Sequence, residues 1–317
     1  MSKQGYSASD IVFLLGAGAT VDAGMPTIKG LTERLIERFE RCQDKEFIAI
    51  YELLAKADSL VESNYEKFFE YTELIKRASS IEDIFCIRMP DYLIRTINNP
   101  FSTDVIRTLM NNILRTCQKD VKPEYLSYLQ DFLPENGRLK VFTLNYDLCV
   151  ETACKNKGVL VTTGFNHEWN PLLFYGNEKG INLYKLHGSL LWFYDDNWTI
   201  QELSELPENK NPEIVLGPGS KMQADDPFLT LFYEFSRAVQ EAKICIVVGY
   251  GYQDAHVNTV LERSKVDIID VNLKHADILN KTNKQAILIT STACNCTRIL
   301  RIMPTSLTAK NSGLPVT

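Results

Sequence analysis

The stretch IVFLLGAGATVDAGMP, residues 11 to 26, constrains this chain more than any other. Five consecutive apolar residues, Ile11 to Leu15, read as a strand buried on both faces, the kind found inside a parallel sheet. The strand runs directly into Gly16-Ala17-Gly18. Glycines there allow positive φ and let backbone N–H groups approach an anion with no Cβ in the way. A short helical turn follows, ended by Gly24-Met25-Pro26, and its positive end suits a diphosphate.

The rest of the chain divides by period. Leu31, Leu35, Ile36 and Phe39 share a helical face, as do Phe47, Ile50, Tyr51 and Leu54, then Phe68, Tyr71, Leu74 and Ile75. Ile81, Ile84 and Phe85 open another helix, which Pro90 interrupts. Val105 to Leu114 is amphipathic, and a last helix is expected over about 122–133. The block 31–135 shows no strand pattern and is too large for a crossover helix. Strand character returns at Leu139–Leu144, Ile181–Leu186, Glu213–Leu216, Ile244–Val248 and Val266–Val271, with a helix over Phe228 to Ala242. The expected fold is α/β: a Rossmann-like parallel sheet flanked by helices, with a large all-helical insertion after the first strand. Residues 1–30 and 136–291 make the nucleotide-binding domain, 31–135 the helical subdomain and 292–317 a tail.

Each strand ends in a small or polar cluster: GAG, Asn145-Tyr146-Asp147, His187-Gly188-Ser189, Gly217-Pro218-Gly219, Gly249-Tyr250-Gly251, and Asn272. Ligands of open parallel sheets bind outside the carboxyl ends of the strands, so these clusters are expected on one edge. Gly and Asn also end strands for purely structural reasons, but six such endings in succession point to a site. The net charge of −6, with no dense Lys/Arg run, argues against a broad nucleic-acid face. The sequence shows no leader-like segment and no run long enough to cross a bilayer, and the eight scattered cysteines read as free thiols of a cytoplasmic protein.

A dehydrogenase fits poorly. The glycine turn lacks a third glycine, and Glu33, Glu37 and Glu40 lie in a helical pattern instead of at a strand tip. The segment GAGATVDAGMPTIKG instead resembles the signature of the sirtuin (silent-information-regulator) family, GAG-I-S followed by AGIPDFR. Thr143 with Asn145-Tyr146-Asp147 is similar to that family's TQNID, and Leu186-His187-Gly188 to its LHG. The resemblance covers roughly 11–31 and 139–272. Two departures stand out: Thr27-Ile28-Lys29 replaces Asp-Phe-Arg, and no CxxC pair is present, so the structural zinc of protein-deacylating sirtuins is not expected.

The resemblance implies NAD as substrate. Asn145, His187 and Asp147 would be catalytic. Gly16, Ala17, Gly18, Thr20, Gly24, Pro26, Thr27, Gly188, Gly217, Gly249, Tyr250, Gly251 and Asn272 would bind the dinucleotide. In these terms Asn145 holds a water or the ribose hydroxyls, Asp147 accepts from the nicotinamide carboxamide, and His187 is the general base. His256, just after the GYG turn, is placed either on the pocket or on the surface, and His167 on a loop. With its zinc-free pattern the chain is similar to the sirtuin-like NAD hydrolases of bacterial anti-phage defence, which deplete NAD when triggered. That likeness implies a homo-oligomer and an activating or sensor partner protein, with neither nucleic acid nor membrane bound directly. A protein deacylase or ADP-ribosyltransferase, and a non-catalytic NAD or ADP-ribose sensor, are the competing readings.

Overall fold

The computed structural model describes residues 10–43, 45–79, 101–206, 211–215, 225–273 and 286–290. Its centre is a seven-stranded sheet, parallel throughout: β1 (Ile11–Leu15), β2 (Arg138–Thr143), β3 (Val161–Thr162), β6 (Gly180–Lys185), β9 (Ile244–Val248), β10 (Asp267–Asn272) and β11 (Ala286–Thr290), in the order β11-β10-β9-β1-β2-β6-β3. The Rossmann-like class expected from the sequence is the fold observed. All five residues of β1 are buried. Ile11, Phe13 and Leu15 pack on one face of the sheet and Val12 and Leu14 on the other, as a period of two requires.

Helices cover both faces. On one lie α1 (Ile28–Cys42), α2 (Lys45–Ala57), α3 (Tyr65–Ser79), α4 (Phe101–Lys119) and α5 (Cys149–Lys155). The described residues between β1 and β2 contain no strand. Their Leu35, Phe39, Phe68, Ile106 and Met110 are continuous in one core with Phe13 and Val141 of the sheet. The other face carries α6 (Phe228–Glu241) and α7 (Ala255–Arg263). Leu231, Phe235 and Ala238 of α6 fall on one helical face and pack in the same core as Phe142 and Tyr184. Beside them sits a four-stranded antiparallel sheet in the order β4-β5-β8-β7, made of β4 (Phe165–Asn166), β5 (Glu168–Trp169), β7 (Trp192–Tyr194) and β8 (Ile200–Glu202).

Three expectations change. The segment from Glu213 is no strand of the main sheet; Ile214 makes only an isolated antiparallel bridge to Gly188, and Leu216 lies outside the described residues. Its backbone groups are taken elsewhere: the Val215 N–H donates to the His187 carbonyl (2.9 Å), and the Ile214 carbonyl accepts from Arg107 (3.0 Å). The helix expected over about 122–133 is a 3₁₀ helix, Glu124–Phe132, whose buried Leu126, Leu129 and Phe132 repeat every three residues, the 3₁₀ period. β3, β11 and the small antiparallel sheet add strands beyond those expected; β11 is the apolar run Ala286–Thr290, and the shortest of the others have two residues. The helix expected around 81–85 and the tail 292–317 lie outside the described residues.

β1 and β9 are neighbours whose chains leave the sheet in opposite directions, β1 toward β2 and β9 toward β10. That is the switch point at which α/β sheets open a crevice. The loops there pack backbone against backbone. A Cβ on Gly16 would stand 2.6 Å from the Tyr250 Cα, and one on Gly18 would stand 2.8 Å from the Gly249 Cα. Gly16 itself is extended (φ −105, ψ −175), so close approach, and not the left-handed backbone expected there, makes glycine necessary. The positive φ belongs to Gly249, at 62°.

Gly249→Ala is expected to destabilise the fold by about 2–4 kcal/mol through strain and overpacking. Gly251→Ala, whose added Cβ meets nothing nearer than 4.0 Å, is expected to cost under about 1 kcal/mol. Urea denaturation of the two variants checks the difference.

Candidate functional site

The polar strand ends gather around one cavity of about 780 Å³. Its wall includes Gly16, Ala17, Gly18, Thr20, Pro26, Thr27, Asn145, Asp147, His187, Gly249, Tyr250, Gly251 and Asn272. The size is that of a cofactor site. Of the other predicted residues, Gly24 (φ 101) is exposed and Gly188 (φ 90) is buried, neither lining the cavity, and Gly217 lies outside the described residues. His256 is exposed and off the cavity wall, as is His167.

Thr20 is the hub of the floor. Its hydroxyl donates to Asp147 Oδ2 (2.9 Å) and accepts from Asn145 Nδ2 (3.2 Å). Asn145 Nδ2 also donates to the Gly16 carbonyl (3.0 Å), which turns its Oδ1 into the group left over for a ligand. Asp147 Oδ1 accepts from the Cys149 N–H (3.0 Å), and the buried Lys185 ammonium holds the Asp147 carbonyl while pairing with Glu151 at 2.8 Å. The tip of β2 is thereby fixed to the tip of β1. Two of the turn's amides serve the same purpose: Gly16 donates to the Val248 carbonyl and Gly18 to the Gly249 carbonyl, both at 2.9 Å. The Ala17 amide makes no backbone hydrogen bond among the described residues. It is the donor of the glycine turn that remains for an anion.

The tip of β6 is tied in by Tyr146, whose hydroxyl donates to the Val215 carbonyl (2.8 Å) and whose carbonyl accepts from the Leu190 N–H (3.0 Å). His187, 5% exposed, places Nε2 3.0 Å from Oδ2 of Asp254, itself 3% exposed. Asp254 Oδ1 accepts from the N–H groups of His256 and Val257, so this residue is also the N-cap of α7. An ionised carboxylate accepts only, so Nε2 carries a hydrogen, and in the neutral ring Nδ1 is the nitrogen that accepts. Tyr250 braces the loop, its hydroxyl donating to Asn258 Oδ1 (2.9 Å) and accepting from the Asp254 N–H (3.1 Å). Burial pushes the phenols of Tyr146 and Tyr250 well above their ordinary range, so both stay neutral hydrogen-bonding groups.

Much of the remaining wall comes from the helical segment: Ser63, Asn64, Tyr65, Glu66 and Lys67 at the start of α3, with Ile28 and Lys29 of α1. Asn64 caps α3, its Oδ1 accepting from the Glu66 N–H (2.9 Å), and its Nδ2 reaches across to Gln253 Oε1 (3.1 Å).

Sequence reasoning passed over Asp254 and weighed His256 instead. The signal was present, since an Asp just before an apolar helical run marks an N-cap. Among the described residues, no group of three or more His, Cys, Asp and Glu could hold a metal ion. None of the described helices is long and apolar enough to cross a membrane.

Residues 139–286 match the family model of the SIR2-like domain. Over that segment the chain is similar to SIR2-like domains, and the likeness to sirtuins read from its strand tips holds. The glycine turn after β1 lies outside that matched segment. A Sir2 homologue with a phenylalanine-to-alanine substitution, solved with ADP-ribose, has a TM-score of 0.50 at 13% identity, covering 99% of this chain and 96% of that one. A histidine-to-asparagine variant of a Sir2 homologue, also an ADP-ribose complex, has a TM-score of 0.49 at 14% identity over the same shares. Identity that low bears on the fold alone. No curated protein sequence matches the chain significantly.

Asp254→Ala removes the cap of α7 together with the partner of His187, and is expected to cost about 1–2 kcal/mol. Asp254→Asn keeps a capping oxygen and is expected to stay within about 0.5 kcal/mol of the parent. Thermal denaturation checks the pair.

Proposed function

We propose that this protein binds NAD+ and hydrolyses its nicotinamide–ribose bond to nicotinamide and ADP-ribose. The observation that carries the reading is the meeting of Asn145, Asp147, and the His187–Asp254 pair with the glycine turn in one cavity. A bound dinucleotide would set its diphosphate against the Ala17 amide and its nicotinamide riboside toward Asp147 and His187. Lys29 and Lys67, both on the wall, suit the phosphates' charge.

The bond breaks with its electron pair going to the nicotinamide ring nitrogen, which neutralises the pyridinium and leaves an oxocarbenium-like sugar. Water adds to the anomeric carbon and gives up a proton. His187 is oriented by Asp254 so that its free nitrogen takes that proton and passes it to solvent. Asn145 Oδ1 holds the water or a ribose hydroxyl, and the carboxylate of Asp147 accepts from the carboxamide. In the cell the reaction would deplete NAD, consistent with a defence effector whose activity is gated by homo-oligomerisation or by a partner protein. That part rests on the family resemblance alone.

Incubation with NAD+ is expected to release nicotinamide and ADP-ribose with no peptide present. Product formed only with an acyl-lysine peptide would make the protein a deacylase. NAD+ binding with no turnover at any protein concentration would leave a sensor. His187→Ala and Asn145→Ala are each expected to lower kcat by at least about 10²-fold while the fold survives. Asp254→Asn presents an NH₂ to Nε2, forces the other tautomer and is expected to reduce kcat by a comparable factor at unchanged stability. Chromatographic rates for the three variants, beside their melting temperatures, check both statements.

A further inference from the structure

Position 185 is one where the core would take another apolar side chain. Ile181 and Leu183 of β6 pack in the core beneath the helical segment, and a period of two puts Lys185 next in that row. Its side chain is 0% exposed. An ammonium withdrawn from water weakens a fold unless its donors are well matched, so a lysine here needs a reason. Its Nζ bonds two groups that follow β2: the Asp147 carbonyl and, at 2.8 Å, Oε1 of Glu151 in α5. Asp147 is thereby gripped at three points. The Thr20 hydroxyl donates to Oδ2, the Cys149 N–H to Oδ1 and Lys185 to the carbonyl. Each carboxylate oxygen keeps a further lone pair for a ligand. Neither Lys185 nor Glu151 is on the wall of the nucleotide cavity, whereas Asp147 is.

We propose that Lys185 is a positioning residue: it holds in place the main chain of Asp147, the carboxylate that meets the nicotinamide carboxamide, while Glu151 only supplies the countercharge. This rests on the binding of NAD+ proposed above, with its nicotinamide toward Asp147, and not on the hydrolysis. With the lysine gone, the Asp147 carbonyl loses its donor and the turn after β2 relaxes. The carboxylate then meets the carboxamide less often in the right geometry. The glycine turn at the diphosphate end keeps its own bonds to the tip of β9. A lysine that merely balanced Glu151 in the core would behave differently, since removing both charges together would leave the site intact.

Lys185→Met combined with Glu151→Gln takes away the clamp and its countercharge at once, leaving no lone charge buried. Calorimetry on the full chain then compares ADP-ribose, which lacks nicotinamide, with the carbocyclic analogue of NAD+, which carries it and resists hydrolysis. The double variant is expected to bind the analogue about tenfold more weakly than wild type does, with ADP-ribose affinity within about threefold. In an Asp147→Ala background the same two substitutions are expected to change analogue affinity by less than about threefold, because the group they position is gone. Unchanged analogue affinity in the double variant overturns the proposal, as do equal losses for the two ligands or an undiminished loss in the Asp147→Ala background. Glu151→Gln alone keeps the lysine's bond to the carbonyl and does not depend on the double variant folding. It is expected to stay within about threefold of wild type for both ligands, and a selective loss of the analogue there overturns the assignment. Wild type that binds the analogue but leaves NAD+ intact removes the hydrolysis alone. Wild type that binds the analogue no more tightly than ADP-ribose removes the role of Lys185.

Discussion

The contact between two loop backbones, residues 16–18 after β1 and 249–250 after β9, governs the geometry of everything around the cavity. Side chains would hold these loops farther apart. With glycine on both sides the amides of Gly16 and Gly18 reach carbonyls of the neighbouring strand's tip, and the two strand ends become one rigid edge. Asn145, Thr20 and Asp147 then build on the Gly16 carbonyl, and Tyr250 and Asp254 on the far side. The imidazole of His187 is held by Asp254, and both assemblies line the same cavity. A shift in the glycine contact would propagate to every group that could touch a ligand, because each is bonded to the next and few are free to adjust.

The sheet was legible because its central strands are long and apolar. β1 and β9 are five apolar residues without a break, β2, β6 and β10 mix apolar with polar residues over six, and their tips carry the polar clusters that mark a switch point. What escaped notice was short or served another purpose. β3 has two residues, too few for any period to register. The Glu213–Val215 run has the apolar character of a strand but spends its backbone on His187, Trp192 and Arg107. The 3₁₀ helix Glu124–Phe132 differs from an α-helix by a repeat of 3.0 against 3.6, a distinction that a nine-residue window hardly resolves.

The site was legible where its residues end strands and obscure where they begin helices. Asn145, Asp147 and His187 follow their strands directly. Asp254 and Glu66 start α7 and α3, where an acidic residue has an ordinary explanation in capping or the helix dipole. Only the fold reveals that the two helix starts converge on the same cavity. The glycines had a comparable ambiguity. Their presence was read as room for an anion, yet most of the room is occupied by protein backbone.

The Asn64–Gln253 hydrogen bond is the seam between a wall made by the helical segment and a wall made by the sheet's own loops. It is neutral and solvent-exposed, so its net worth is about 0.5–1.5 kcal/mol, a small fraction of what stabilises a domain of this size. The two walls are thus bonded there by an interaction that thermal motion breaks often, while Asn64 keeps its separate hold on α3 through Oδ1. Such an arrangement lets the rim part and rejoin without melting the helix behind it, and passage across the rim carries little energetic toll.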